Sequence, residues 1–195
     1  MNALDNRGLK SPHAAGAEGA TRQRVPWARY LRRPVGADAV AMQQLVAATR
    51  VLDVNSTYAY LLIATDFAAS SIVADCDGEL CGLITAYHPP ARPEVLFVWQ
   101  VAVAEHAQGT GLAATMLDAL VDRVRRARHG HPVTVEATVA PGNRASRAFF
   151  SGFARRHGVP ITEQSHFTAD LLDPEGAHED EPILRIGPIT AALTD

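Results

Sequence analysis

The sequence predicts an α+β fold with one mixed, mostly antiparallel central sheet flanked by helices. Three observations predict it. Strand-like runs joined by turn signals fill the middle of the chain, a strongly amphipathic helix follows them, and strand and helix then alternate toward the C-terminus. The length, 195 residues, suits one domain with short extensions. With 47% hydrophobic and 20% charged residues the chain has the makings of a core, and at this size roughly 70% of the unfolded surface is buried on folding.

Residues 1–26 are rich in Gly, Ala and charge without apolar periodicity, so they read as a mobile N-terminal arm. The folded domain is expected over 27–190, with 191–195 as a C-terminal tail. A short strand after Tyr30 leads to Asp38, placed to cap a helix whose apolar positions are Val40, Leu45, Val46 and Val51. Asn55 or Ser56 caps a second helix over NSTYAYLLIATDF. The connection LDVNS between the two is positioned to aim Asp53 and Asn55 into a cleft. Three strands follow as an antiparallel meander, SSIVADC, ELCGLITAYH and EVLFVWQVAVA, the first two joined by the hairpin dipeptide Asp77-Gly78. The loop HPPARP before the third is stiffened by prolines that cannot donate to a central ladder.

The period then changes. Leu112, Met116, Leu117, Leu120, Val121 and Val124 form one apolar helix face, with arginines crowding the last turns and Gly130 ending it. The strand HPVTVEATV comes next, then Pro141-Gly142-Asn143 opening the helix RASRAFFSGFARRHG, then strand-like SHFTADLL and PILRIGP. Cys76 and Cys81 fit neither a disulfide framework nor a four-ligand zinc site, and read as buried thiols in a reducing cytosol. A net charge of -3 gives no footprint for nucleic acid. No apolar run reaches membrane-span length and the first residues lack a signal peptide's apolar core, so a cytoplasmic protein without a membrane partner is expected. His129 and His131 flank a helix-ending turn and suggest no metal site.

The segment HAQGTGLAA, 106–114, carries the chemistry. It joins a strand to the amphipathic helix, so backbone N–H groups without helical partners and the positive helix end converge on one spot. Gly109 and Gly111 bring no side chains to keep a pyrophosphate away. The same residues match a dinucleotide fingerprint, G-x-G-x-x-A, but poorly: five residues separate the strand from the first glycine, and a meander precedes it in place of a βαβ unit.

H-A-Q-G-T-G resembles instead the acyl-CoA motif R/Q-x-x-G-x-G/A of the GNAT superfamily of N-acetyltransferases, with His106 replacing the usual first residue. Asn143 to Phe153, N-x-x-S-x-x-F-F-x-x-F, resembles the second half of that site. The resemblance implies a GNAT-type fold in which the fourth strand, Val98 to Val103, splays from the fifth, Val133 to Val139, to admit acetyl-CoA as co-substrate, with no metal. It implies cofactor contacts from Val101, Ala102, Val103, Gln108, Gly109, Thr110, Gly111, Leu112, Ala113, Asn143, Ser146, Phe149 and Phe150, with the Val101 N–H polarising the acetyl carbonyl. Phe150 occupies the position where many GNAT enzymes carry a tyrosine that protonates the leaving thiolate.

LDVNSTYAYLL, the block PPARPEVLFVWQVAV and HEDEPILRIGP together resemble a narrower family, the L-2,4-diaminobutyrate acetyltransferases of ectoine biosynthesis, over most of the chain. This implies acetylation of the 4-amino group of L-2,4-diaminobutyrate by a homodimer in bacterial cytosol. A diamino acid needs anions to orient the ammonium that must not react, and Asp53, Glu136 and Glu179 are candidates. The family's substrate positions match Asp53, Tyr58, Trp99 and Glu179, with Asn55, Gln100 and His178 as neighbours. An ammonium has no lone pair, so a base is required: Glu136 and Glu179, then His178. Plainer roles exist for each: Asp53 as a helix cap, Tyr58 and Trp99 as packing, Glu136 as an arginine partner. A GNAT acting on another small amine, or a CoA-binding module without turnover, are the competing functions.

Overall fold

The computed structural model describes residues 27–173, 175–176 and 178–190; the expected arm at 1–26 and tail at 191–195 lie outside the described residues. The strands are β1 (Leu31–Arg32), β2 (Ile72–Cys76), β3 (Glu79–Tyr87), β4 (Val95–Val103), β5 (Val133–Thr138), β6 (Ile161–Phe167) and β7 (Glu181–Ile189). The helices are α1 (Ala39–Thr49), α2 (Thr57–Thr65), α3 (Leu112–Ala127), α4 (Arg144–His157) and the single turn α5 (Ala169–Leu172). The strands make one sheet in the order β1-β2-β3-β4-β5-β7-β6, antiparallel throughout except where β4 runs parallel to β5.

Local chemistry explains most of these elements. Asp77 and Gly78 both adopt positive φ, 57° and 93°, the primed turn that matches strand twist, and the Asp75 carboxylate accepts the Gly78 N–H at 2.8 Å. Ser56 caps α2 by accepting from the Ala59 N–H, and the Asn143 amide oxygen caps α4 by accepting from the Ser146 N–H at 3.0 Å. All six predicted apolar positions of α3 are buried, against Leu96 and Val98 of β4 and Val135 and Ala137 of β5. Each such side chain contributes about 1.5–3 kcal/mol, counted from an extended chain. α1 and α2 cover the opposite face through Met42, Leu45, Val46, Tyr60 and Ile63, packed on Val73, Leu83 and Ala102.

Four expectations need correction. Val40 and Val51 are exposed, and Ala39 and Met42 fill the inner face of α1 in their place. Asp38 makes no side-chain cap; its carboxylate accepts two hydrogen bonds from Arg32, at 2.6 and 2.8 Å, and one from the Val35 N–H. The Arg32 guanidinium thereby holds the Asp38 carboxyl below its ordinary range, against the opposing effect of burial. Cys76 and Cys81 are joined as a disulfide across the β2–β3 hairpin, their Cα atoms 6.1 Å apart. Cys81 is the extra residue between the pairs Ala74↔Gly82 and Asp75↔Leu80, and this bulge brings it within reach of Cys76 despite the five-residue separation. In the run SHFTADLL the strand stops at Phe167, and Ala169–Leu172 form a helical turn.

The feature that opens the sheet is a second bulge. β3 and β4 pair as Thr85↔Gln100 and then Ala86↔Val98, so Trp99 has no partner. One unpaired residue reverses the alternation of the strand. Val98 faces α3, but Gln100 and Ala102 face α1 and α2, while Val101 packs toward the α3 side. β5 does not follow this bend. Its pairing with β4 covers Val95↔Thr134, Leu96↔Val135 and Phe97↔Glu136 and then ends, leaving Val98–Val103 without a neighbour on that side.

Candidate active site

Where β4 and β5 part, a cleft of about 1120 Å³ opens, lined by both strands, the loop before α2, the start of α4, and His178 and Glu181 before and at the start of β7. The free edge of β4 supplies its donors. The Gln100 N–H donates to Thr85 Oγ1 at 3.1 Å and the Ala104 N–H to the Cys81 carbonyl at 3.0 Å, both on β3. N–H direction alternates along a strand, so the N–H groups of Val101 and Val103 turn the other way, into the gap that β5 leaves. An extended polar chain laid there pairs with them as an added strand does.

At the end of β4 the chain turns through Gly109 and Gly111, at φ 70° and 87°. Space around Gly111 is open where a side chain would sit. The first intrahelical bond of α3 runs from the Thr115 N–H to the Gly111 carbonyl, so the N–H groups of Leu112, Ala113 and Ala114 have no acceptor in the helix. They form a cradle for an anion at the positive end of a 16-residue helix. Thr110 Oγ donates to the Ala107 carbonyl at 2.5 Å, and Gln108 Nε2 to the Val103 carbonyl at 3.2 Å, which braces the turn against β4. The side chains of Leu112 and Ala102 are buried in the two cores, so these residues have only main chain to offer a ligand. Asn143, Ser146 and Phe150 line the cleft on the α4 side, with Phe149 half-buried beside Phe150 at a ring distance of 5.0 Å. His106 is exposed in the turn before Gln108.

The expected amine-binding residues divide into three groups. Asp53, Asn55, Trp99, Gln100 and His178 line the cleft. Gln100 is buried and acts as a brace: it accepts from the Tyr60 hydroxyl at 3.2 Å and donates to the Asp53 carbonyl at 2.8 Å, fixing the loop that presents the Asp53 carboxylate. Gln43 does the same for the Asn55 carbonyl at 2.9 Å. Trp99, 47% exposed, owes its place in the cleft to the bulge. Glu179 stands at the rim, accepting the Gly142 N–H at 2.8 Å, an approach that a Cβ on Gly142 would block. Tyr58 is on the outer side of α2, 69% exposed, and does not line the cleft.

Glu136 is the residue whose expected role changes most. It is only 1% exposed, does not line the cleft, and both its oxygens accept from Arg92 Nη1 at 2.7 Å while Oε1 also accepts from Arg185. Both carboxylate oxygens are therefore engaged by guanidiniums and neither faces the cleft. Arg92 lines the cleft and was not among the residues that the sequence singled out; the arginines lie 44 and 49 positions from Glu136, beyond any local pattern. Among the described residues no group of three or more His, Cys, Asp or Glu is placed to hold a metal ion, and no helix is long and apolar enough to cross a membrane.

Comparison with known proteins agrees with this geometry. The profile of the Acetyltransferase (GNAT) family matches residues 40–153. The L-2,4-diaminobutyric acid acetyltransferase of Streptomyces coelicolor is 44% identical over 161 residues, covering 82% of this chain and 92% of the relative. That of Bordetella parapertussis is 40% identical over 190 residues, covering 95% and 96%. Among solved structures, the diaminobutyrate acetyltransferase from Paenibacillus lautus, in complex with its substrate L-2,4-diaminobutyric acid and coenzyme A, superposes with a TM-score of 0.75 at 37% identity, covering 83% of this chain and 95% of that one.

Proposed function

The chain belongs to the GNAT acetyltransferase family, and from that membership we propose that it is an acetyl-CoA-dependent L-2,4-diaminobutyrate N4-acetyltransferase acting in ectoine biosynthesis. The observation that carries this reading is the parting of β4 and β5 after Phe97 and Glu136, beside Asp53 and Trp99, in a chain that matches diaminobutyrate acetyltransferases over most of its length. The pantetheine arm of acetyl-CoA lies along the free edge of β4, its pyrophosphate in the cradle that runs from Gln108 to Ala114, and its thioester near the Val101 N–H. That N–H takes the charge that develops on the acetyl oxygen as the amine attacks.

The amine enters from the side lined by Asp53, Asn55 and Trp99, with the Asp53 carboxylate holding the ammonium that is not acetylated. Proton removal from the reacting nitrogen falls to Glu179 and His178 at the rim, since the Glu136 oxygens are spent on arginines. Phe150 offers no proton, and CoA departs as a thiolate whose parent thiol has a pKa near ~8.5, low enough for that without a side-chain acid. The homodimer of this reading finds support at the end of the sheet. Every residue of β6 is exposed, Ile161 and Phe167 among them, and Leu171 follows at 72% exposure; an uncovered terminal strand invites a second copy. A cytoplasmic location follows from the source of acetyl-CoA.

Release of CoA thiol from acetyl-CoA, followed in parallel with L-2,4-diaminobutyrate, ornithine and lysine, tests the reading. Turnover selective for diaminobutyrate is expected. Equal turnover of the longer diamines would contradict the substrate, and saturable CoA binding without turnover would contradict the activity.

A further inference from the structure

The cleft binds a molecule with two cationic groups and one anionic group, and the acids accounted for above serve the cations alone. We propose that Arg92, held in place by its ion pair with Glu136, receives the α-carboxylate of the diamino acid and makes the enzyme selective for amino acids over simple diamines. This rests on the reading of the substrate as diaminobutyrate.

Charge and free donors single out Arg92. Glu136 is buried on β5 in the last pair that joins β4 to β5, and it carries one negative charge against two guanidiniums. The triad therefore retains a net positive charge at the head of the gap. Of its two arginines, Arg92 lines the cleft and Arg185 does not. The Arg92 side chain is 40% exposed. Among the described residues its one side-chain partner is Glu136, met through Nη1 alone, so Nη2 and Nε keep their donors. A guanidinium presents a planar fork that matches a carboxylate, and one already clamped loses little freedom on binding.

The backbone supports the same placement. The Arg92 N–H donates to the Pro89 carbonyl at 2.8 Å, and its own carbonyl accepts from the Val95 N–H at 3.0 Å, so the proline loop holds this residue directly before β4. Arg144, the other arginine of the lining, is exposed at the first turn of α4, on the side given to CoA, and makes no ion pair among the described residues. Asp53 and Arg92 thus offer opposite charges to opposite ends of a zwitterionic head.

The test compares L-2,4-diaminobutyrate with 1,3-diaminopropane, the same diamine without the carboxylate, in wild type, Arg92→Gln and Arg92→Lys. Losing a charge-assisted pair costs about 10- to 100-fold in binding. The proposal predicts that Arg92→Gln lowers kcat/KM for diaminobutyrate by about that factor, chiefly through KM, and leaves 1,3-diaminopropane within about threefold. Arg92→Lys, which keeps the charge and the contact to Glu136 but not the fork, should give an intermediate loss confined to diaminobutyrate, and it reports even if Arg92→Gln fails to fold. An equal fall on both amines in Arg92→Lys would make Arg92 a structural brace and overturn the assignment. Wild-type protein that turns over 1,3-diaminopropane but ignores diaminobutyrate would overturn the functional reading as well.

Discussion

At the scale of single residues, Gly109 and Glu179 stand for the two halves of the proposed reaction. Gly109, at φ 70°, lies where a side chain would both strain the backbone and stand between a pyrophosphate and the N–H groups of α3. Gly109→Val should abolish CoA binding in a calorimetric titration. Among the described residues the Glu179 side chain accepts one hydrogen bond, from the Gly142 N–H at the rim, so Glu179→Ala should leave CoA affinity within about twofold and reduce kcat/KM for the diamine by about 10-fold or more. Equal loss of CoA affinity in both variants would contradict this division. Residues such as Gly109 and Asn143 were legible in the sequence because their roles are local: a positive φ, a cap three residues from its acceptor. The pairing of Glu136 with Arg92 and Arg185 was not, because three distant segments must fold before those charges meet.

Among the elements, the legible ones carry a period. The six buried positions of α3 recur at helical spacing, and Asp77-Gly78 announces its own turn. VLFVWQVAV carries no such signal, since nearly every residue is apolar or aromatic. Its identity as a strand was readable, but the unpaired register at Trp99, which sets that side chain in the cleft and turns Val101 toward the gap, was not. α1 failed differently: Val40 and Val51 fit a helical period, but the sheet packs against the neighbouring stripe through Ala39 and Met42.

The link before α1 has its own test. Asp38 is tied to Arg32, which also reaches Asp75 at 2.9 Å and so joins the loop before α1 to β1 and β2. Because the Asp38 carboxyl is held below its ordinary value, the folded state binds its proton less tightly than the unfolded chain does. The stability it contributes is therefore full above about pH 4 and is lost as pH falls through the depressed folded value. The urea midpoint of Asp38→Asn should lie below that of wild type at pH 7, and the gap should close on acidification below about pH 4. A gap that stays constant down to pH 2 would refute the ion pair as its cause.

For the whole molecule, function follows from one sheet that is covered differently at its two ends. From β1 to β4 it is buried on both faces, by α1 and α2 on one side and α3 on the other. Past the parting of β4 and β5 it runs out to β6, exposed along its full length. The cleft sits between these regimes, where β4 and β5 pair over only three residues among the described ones and α3 packs across both strands. One half brings the anion cradle before α3, the Asp53 loop and Arg92, the other brings Glu136, Arg185, His178 and Glu181, and the Arg92–Glu136 pair spans the two. The family was legible from two glycine- and asparagine-bearing motifs in order, and the narrower substrate from blocks spread over most of the chain. How the halves meet was not, since it depends on where pairing stops.

The central claim is transfer to one particular nitrogen of one diamino acid. Incubating the protein with acetyl-CoA labelled with carbon-13 in the acetyl group and L-2,4-diaminobutyrate, then locating the label by NMR, tests it most directly. A single product is expected, with the acetyl group on the 4-nitrogen and the 2-nitrogen still free. Label on the 2-nitrogen, or spread over both, would contradict it.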